Sequence, residues 1–287
     1  MSIATAKVPL LLPVENQVRE LDSKILLACI AARRGFSSYI GSRREIHFNI
    51  TSFPQGIYLS KSITAASDMM FRIMRNLGHE VVAWDEEALV HLPAETYYSR
   101  RLSPAAMAQV SRFFAWGEDN AQLWRQYPQL PENAVIEVTG NPRNDLLRPE
   151  LHAYFDSAVE KIKKAYGDFI LINTNFNHVN AFSPVQNLFK PLNGPDETPK
   201  FGRAAKGMSR EYAEGLRDHK QAIFEDFQRM IPALDKAFPD YNIVVRPHPT
   251  EDQKIYHDIA SHCRRVEVTN EGNVVPWLLA TKALIHN

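Results

Sequence analysis

Short apolar runs that stop on a polar crest alternate, along this whole chain, with stretches whose apolar residues recur at helical spacing. That alternation restricts the fold more than any other feature. Parallel neighbouring strands need a crossover between them, and a helix is the usual one. Strands are predicted at 8–14, 36–40, 56–59, 81–84, 112–116 and 135–139, and helices at 18–34, 67–76, 103–110 and 119–126. Residues 1–150 therefore read as one doubly wound α/β domain. A helix at 149–164 reads as the join, with the linker placed at 151–166. A fresh strand at 168–173 opens a second α/β domain over 167–287. There the predicted strands are 243–245, 266–268 and 283–286, with helices at 210–237, near 254–263 and near 275–281. Ile223, Phe227, Ile231 and Leu234 mark the apolar stripe of the longest helix, and Pro232 is expected to kink it. Residues 182–207 lack periodicity and read as a long loop or insertion. The last strand ends on Asn287 with no closing helix, so the second domain is expected to be incomplete.

The totals narrow the function. The 287 residues are 45% apolar and 23% charged, which suits an ordinary globular protein. Lys plus Arg and Asp plus Glu are both 33. Zero net charge gives no bulk attraction to nucleic acid, so no nucleic-acid partner is expected. No apolar window of membrane-spanning length occurs. Cys29 and Cys263 lie far apart without metal-ligand spacing and are expected as reduced thiols of a cytoplasmic protein.

Polar clusters with chemical potential fall at predicted strand ends. Arg246-Pro-His-Pro-Thr-Glu follows a β-branched strand. The prolines hold the turn extended, and Thr250 is expected to cap the next helix with Glu251 in its first turn. A cation, the His248 imidazole and a helix start suit a phosphate, so Arg246, His248, Thr250 and Glu251 are candidate donor-binding residues. Asp85-Glu86-Glu87 also ends a strand. Three adjacent carboxylates repel one another, and a raised pKa would suit a general base; a solvated acidic helix start is the competing reading. Gly140-Asn141-Pro142-Arg143 follows another strand, with Arg143 expected either to face a substrate anion or to make an Arg–Asp pair. Asn173 and Asn175 can hydrogen-bond a sugar or nucleotide, or simply form an Asx-rich turn. Glu15 and Arg19 stand at the first crest, as acceptor-groove residues or a surface ion pair. No dinucleotide-binding, P-loop or serine-hydrolase glycine motif and no metal-ligand spacing occurs, so neither cofactor nor metal is expected.

The blocks Leu12-Pro-Val-Glu-Asn-Gln-Val-Arg-Glu-Leu-Asp, Trp84-Asp-Glu-Glu-Ala-Leu-Val, Phe114-Ala-Trp-Gly-Glu, Val138-Thr-Gly-Asn-Pro-Arg-Asn-Asp-Leu-Leu-Arg-Pro-Glu, Ile170-Leu-Ile-Asn-Thr-Asn-Phe and Val245-Arg-Pro-His-Pro-Thr-Glu resemble the bacterial surface carbohydrate biosynthesis protein family. That family is similar to GT-B glycosyltransferases and, more distantly, to Kdo transferases and bacterial sialyltransferases. The Gly140 block is also similar to one in UDP-sugar 2-epimerases and CDP-glycerol glycerophosphotransferases. The resemblance implies a GT-B-like fold, two Rossmann-like domains facing a cleft, with more chain after the last strand. It implies metal-independent transfer of a Kdo-like or sialic-acid-like sugar from a nucleotide donor to a glycan or lipid-linked acceptor. It places such a chain in the cytoplasm or at the inner face of the membrane, in peripheral association with a glycan-assembly complex. His248 would contact the donor phosphate, and Asp85, Glu86 or Glu87 would act as base or nucleophile. Ala88 stands where the acidic motif of the related enzymes has Gly. An epimerase, a glycerophosphotransferase or a non-catalytic scaffold of glycan assembly are the alternatives.

Overall fold

The computed structural model describes residues 8–88, 93–191 and 198–287. The chain divides into two compact units, Met1–Leu151 and His152–Asn287.

In the first unit the elements run β1 (Leu10–Val14), α1 (Gln17–Arg33), β2 (Ser38–Ser42), α2 (Arg43–Phe48), β3 (Ile57–Ser60), α3 (Asp68–Asn76), β4 (Glu80–Ala83), α4 (Ala94–Arg101), α5 (Pro104–Met107), β5 (Arg112–Ala115), α6 (Glu118–Arg125), β6 (Ile136–Val138) and α7 (Pro142–Asp145). Its six described strands are parallel and ordered β2-β1-β3-β4-β5-β6. The central strands β1, β3 and β4 are buried nearly throughout, whereas the edge strands β2 and β6 are half open. Burial on both faces explains why the inner strands read as unbroken apolar runs. Leu11, Tyr58, Val81, Phe113 and Trp124 share one core under α3, α5 and α6, and Leu12, Leu59, Val82 and Trp84 share another with Leu27 and Ala28 of α1.

The second unit runs α8 (Asp156–Tyr166), β7 (Phe169–Thr174), α9 (Arg210–Ala237), β8 (Asn242–Pro247), α10 (Lys254–Ala260), β9 (Val266–Val268), α11 (Val274–Ala280) and β10 (Ala283–His286). Its parallel sheet has the order β10-β7-β8-β9. α9 lays Phe224 and Ile231 into the core against Ile172, Ile243 and Val245. Burying one such side chain contributes about 1.5–3 kcal/mol, and Ile231→Ala would cost about 2–5 kcal/mol. The helix runs unbroken through Pro232.

Several expectations change. α8 does not stand apart as a linker: Val159, Ile162 and Tyr166 pack against Phe169, Leu171 and Trp277 of the second unit. The second strand begins two residues later than predicted and takes in Gly41 and Ser42. α2 and α4 were not predicted, because Arg43–Phe48 and Ala94–Arg101 carry few apolar residues to reveal a helical period. Residues 182–207 are not a bare loop. Leu188, Phe189 and Ala205 form a small core with Ala213 of α9; positions 192–197 of that stretch lie outside the described residues. No described helix is long and apolar enough to cross a membrane.

Candidate functional site

Both sheets reverse their strand order at one point, between β1 and β3 in the first unit and between β7 and β10 in the second. The crests at the carboxyl ends of such strands are where open α/β sheets bind ligands. All the candidate residues stand on these two crests.

The first crest is an ion network. Asn16 caps α1 by accepting from the Arg19 backbone N–H at 3.2 Å, which brings Glu20 into the first turn. Glu20 is fully buried. It accepts from the Glu15 backbone N–H at 2.9 Å and from Lys61 Nζ at 2.6 Å. Burial pushes its carboxyl upward, but the Lys61 hydrogen bond and charge outweigh that and hold it below the usual value. Lys61 also reaches Glu15 at 2.6 Å, and Arg43 closes on Glu15 from the other side. Glu15 and Arg19 are thus tied into one network with Lys61 and Glu20 rather than into a lone surface pair.

Asp85, Glu86 and Glu87 each turn to a different cation. Asp85 is 1% exposed; it is paired with Arg101 and accepts from Tyr97 Oη at 2.8 Å. Trp124 Nε1 donates to that same Tyr97 oxygen at 2.9 Å, and Trp116 Nε1 donates to the Asp85 carbonyl at 2.7 Å. Glu86 is 3% exposed and lies 3.0 Å from Lys24 Nζ and 3.1 Å from Arg143 Nη1. Glu87 is half-exposed and pairs with Arg19 at 3.2 Å. The expected crowding of three carboxylates does not arise, because separate cations draw them apart. Only Glu87 of the three keeps a substantially exposed carboxylate.

Arg143 corrects its expectation. Gly140 turns with φ +74°, in the left-handed region. Asn141 then caps α7 through Arg143 N at 2.9 Å, with Pro142 in the first turn. The guanidinium, however, is committed to the Glu86 carboxylate and carbonyl and lies 5.5 Å over Trp116. It anchors Glu86 instead of facing an anion or pairing with Asp145.

The second crest is knitted by Glu251. Thr250 does not cap a helix and Glu251 is in no helical turn, because α10 starts only at Lys254 behind Gln253. Glu251 instead bridges Ala181 and buries its carboxylate. Oε1 accepts from Thr174 Oγ1 at 2.8 Å and from the His248 backbone N–H at 3.0 Å, and Oε2 accepts from Tyr256 Oη at 2.7 Å. This carboxylate is a clamp between the β7 and β8 crests, not a ligand contact. Arg246 is also structural. It is buried, its guanidinium donates to the Glu271 and Gly272 carbonyls at 2.7 and 3.2 Å, and it stacks 4.7 Å over Trp277. Burial lowers its pKa to about 10.

His248 sits half-buried beside Thr250. Its Nδ1 lies 2.7 Å from Thr250 Oγ1 and accepts the Thr250 backbone N–H at 3.3 Å. A backbone N–H can only donate, so the neutral ring carries its proton on Nε2. Asn175 N donates to Asn287 Oδ1 at 2.8 Å, joining the β7 and β10 crests, and Asn173 Oδ1 is buried without a partner among the described residues.

Beside Thr250 opens a depression of about 280 Å³ lined by Asn177, His178, Ala181, Gln186, Arg203 and Ala204. Arg203 and Gln186 come from the 182–207 stretch that sequence reading left without a role. The local hint was Gly202. A Cβ there would meet the Asn187 carbonyl oxygen at 2.0 Å, so only glycine lets the chain pass and deliver Arg203. Among the described residues no group of three His, Cys, Asp or Glu side chains is placed to hold a metal ion.

No protein-family model matches the chain, and a search of curated proteins gives no match. Solved structures do match. The UDP-GlcNAc 2-epimerase from Neisseria meningitidis bound to UDP-GlcNAc shares 13% identity with it, covering 97% of this chain and 77% of that one with a TM-score of 0.51. The S. aureus MnaA–UDP co-structure shares 12% identity, covering 98% and 74% with a TM-score of 0.54. The likeness is one of fold: two Rossmann-type α/β units in one chain.

Proposed function

We propose that this chain binds a nucleoside diphosphate sugar and breaks the bond between the anomeric carbon and the diphosphate. The observation that carries the reading is the depression at the second crest. Thr250, Asn177 and Arg203 line it together, beside a His248 ring whose Nε2 carries a proton. A planar cation and an N–H donor suit a diphosphate whose charge grows as it leaves. The bound nucleotides of the two similar structures are UDP-GlcNAc and UDP, which favours uridine over cytidine as the first ligand to try.

Epimerase-type chemistry on a UDP-sugar is the preferred form of the reading, since it is the activity named for a structural relative of nearly the whole chain. Glycosyl transfer to a surface-glycan precursor is the second form. It is favoured by the resemblance of the sequence blocks to a family similar to GT-B glycosyltransferases. Both forms break the same carbon–oxygen bond and use the same leaving-group contacts: in the first the C2 proton is also removed and returned on the other face, and the anomeric carbon takes back the diphosphate or water; in the second an acceptor hydroxyl bonds to the anomeric carbon and loses its proton.

A titration of the full chain with UDP, CDP and CMP under heat-shift readout tests the binding. Stabilisation by UDP that Arg203→Ala reduces at least tenfold in affinity is the expected result. No stabilisation by any of the three nucleotides would overturn it. NMR of the products from UDP-GlcNAc, with and without added saccharide, separates a free sugar isomer from a new glycoside.

A further inference from the structure

A larger depression, about 520 Å³, opens on the first unit where β1 and β2 end. Its walls are Val14, Glu15, Ser42, Arg43, Arg44, His47, Phe48 and Met70, of which Glu15 and Arg43 also belong to the ion network of the first crest. Arg44 is exposed, lies 5.4 Å from the Phe48 ring, and has no carboxylate partner among the described residues. Arg43 is held at one side by Glu15. Phe48 is 73% exposed and leaves an aromatic side chain open on this wall.

His47 adds a directed donor. Its Nε2 lies 2.8 Å from Tyr58 Oη, and Tyr58 is buried. No other partner of that hydroxyl is present among the described residues. The phenol keeps its proton, since burial raises its pKa. Its hydrogen is satisfied only by donation to Nε2, which leaves the imidazole proton on Nδ1. Burial, then the Arg43 charge, lowers the His47 pKa and keeps the ring neutral. The wall therefore offers two guanidinium groups, an N–H donor, the Glu15 carboxylate and one bare aromatic face.

We propose that this depression binds an anionic sugar, carboxylated or phosphorylated. Arg44 takes the acid group beside the Glu15-paired Arg43, His47 donates to one of its oxygens, and Phe48 covers the apolar face of the ring. Planar guanidinium groups match a carboxylate or phosphate in geometry, and an aromatic face matches a pyranose. The proposal draws nothing from the second unit, so the UDP titration and the test below fail separately.

The full chain is titrated with glucuronic acid, glucose 6-phosphate, inorganic phosphate and neutral methyl glucoside, while the His47 imidazole signals are followed by NMR. Both anionic sugars are expected to move those signals, and methyl glucoside is not. Arg44→Ala is expected to weaken both anionic sugars at least tenfold and to leave the UDP heat-shift unchanged. Arg44 is exposed, so the variant should fold, and Phe48→Ala provides a second reading of the same wall. Four outcomes overturn the proposal: no movement with either acid, equal movement with methyl glucoside, inorganic phosphate binding as tightly as glucose 6-phosphate, or no effect of Arg44→Ala. Cosedimentation with phosphatidylglycerol vesicles in place of sugar binding would also overturn it, and would assign the wall to a membrane surface.

Discussion

Lys24 Nζ lies 3.0 Å from Glu86 Oε1, and both side chains are only 2% exposed. One comes from the middle of α1 and the other from just past β4, so the pair ties the helix to the crest. Lys24 also lies 5.5 Å from the Trp84 ring, and Arg143 supplies the second cation.

Lys24→Met should therefore cost about 3–5 kcal/mol, since it leaves Glu86 buried with half its compensation. Urea unfolding measures this. Adding Glu86→Gln should recover part of the loss, because the stranded charge is gone. A loss below about 1 kcal/mol in the single variant would contradict the network.

Glu20 sets an acid limit. Its folded carboxyl titrates below the ordinary 4.5, so the unfolded chain takes up the proton first as pH falls. Its stabilising contribution is complete above that ordinary value and is lost as pH drops through the lower folded one. Glu20→Gln should flatten the stability curve below about pH 4.5 and lower stability at neutral pH. Urea midpoints taken at several acidic pH values check it; an unchanged slope would count against the assignment.

Gly202→Ala should damage the second crest. The added Cβ would press on the Asn187 carbonyl oxygen from 2.0 Å, and backbone must shift to admit it. A cost of about 1–3 kcal/mol is expected. Loss of UDP stabilisation should accompany it, because Arg203 moves with its neighbour. Thermal melts with and without UDP read both effects.

His248→Ala should lower turnover of a UDP-sugar at least tenfold, about 1.4 kcal/mol of transition-state stabilisation. Thr250→Val keeps the ring but removes the hydroxyl 2.7 Å from Nδ1, and a smaller loss is expected. Initial rates under saturating substrate compare the three proteins. Equal rates for His248→Ala and the unaltered chain would remove His248 from the mechanism.

The alternation of apolar runs and helical periods was enough to place all ten described strands and the long α9 helix. The reason is physical: strands buried on both faces must be apolar throughout, as at Leu171 and Val244. The short polar helices escaped because no apolar period marks them. Arg43–Phe48 is the costly case, since that helix carries Arg43, Arg44 and His47 into one wall.

The sequence by itself also determined which residues stand at strand ends, since a crest is a local property of where an apolar run stops. What each crest residue touches was decided only by the tertiary structure. Arg143, Arg246 and Glu251 resemble ligand contacts in sequence, yet each is committed to Glu86, to the carbonyls of 271–272, or to Thr174 and Tyr256. Arg203 shows the reverse, a residue from an aperiodic stretch placed beside Thr250. Hydrogen-bond partners here lie up to 112 residues apart in the chain, as Asn175 and Asn287 do. Short-range sequence pattern carries no information about such pairs, because the energy that selects them exists only after the strands have packed.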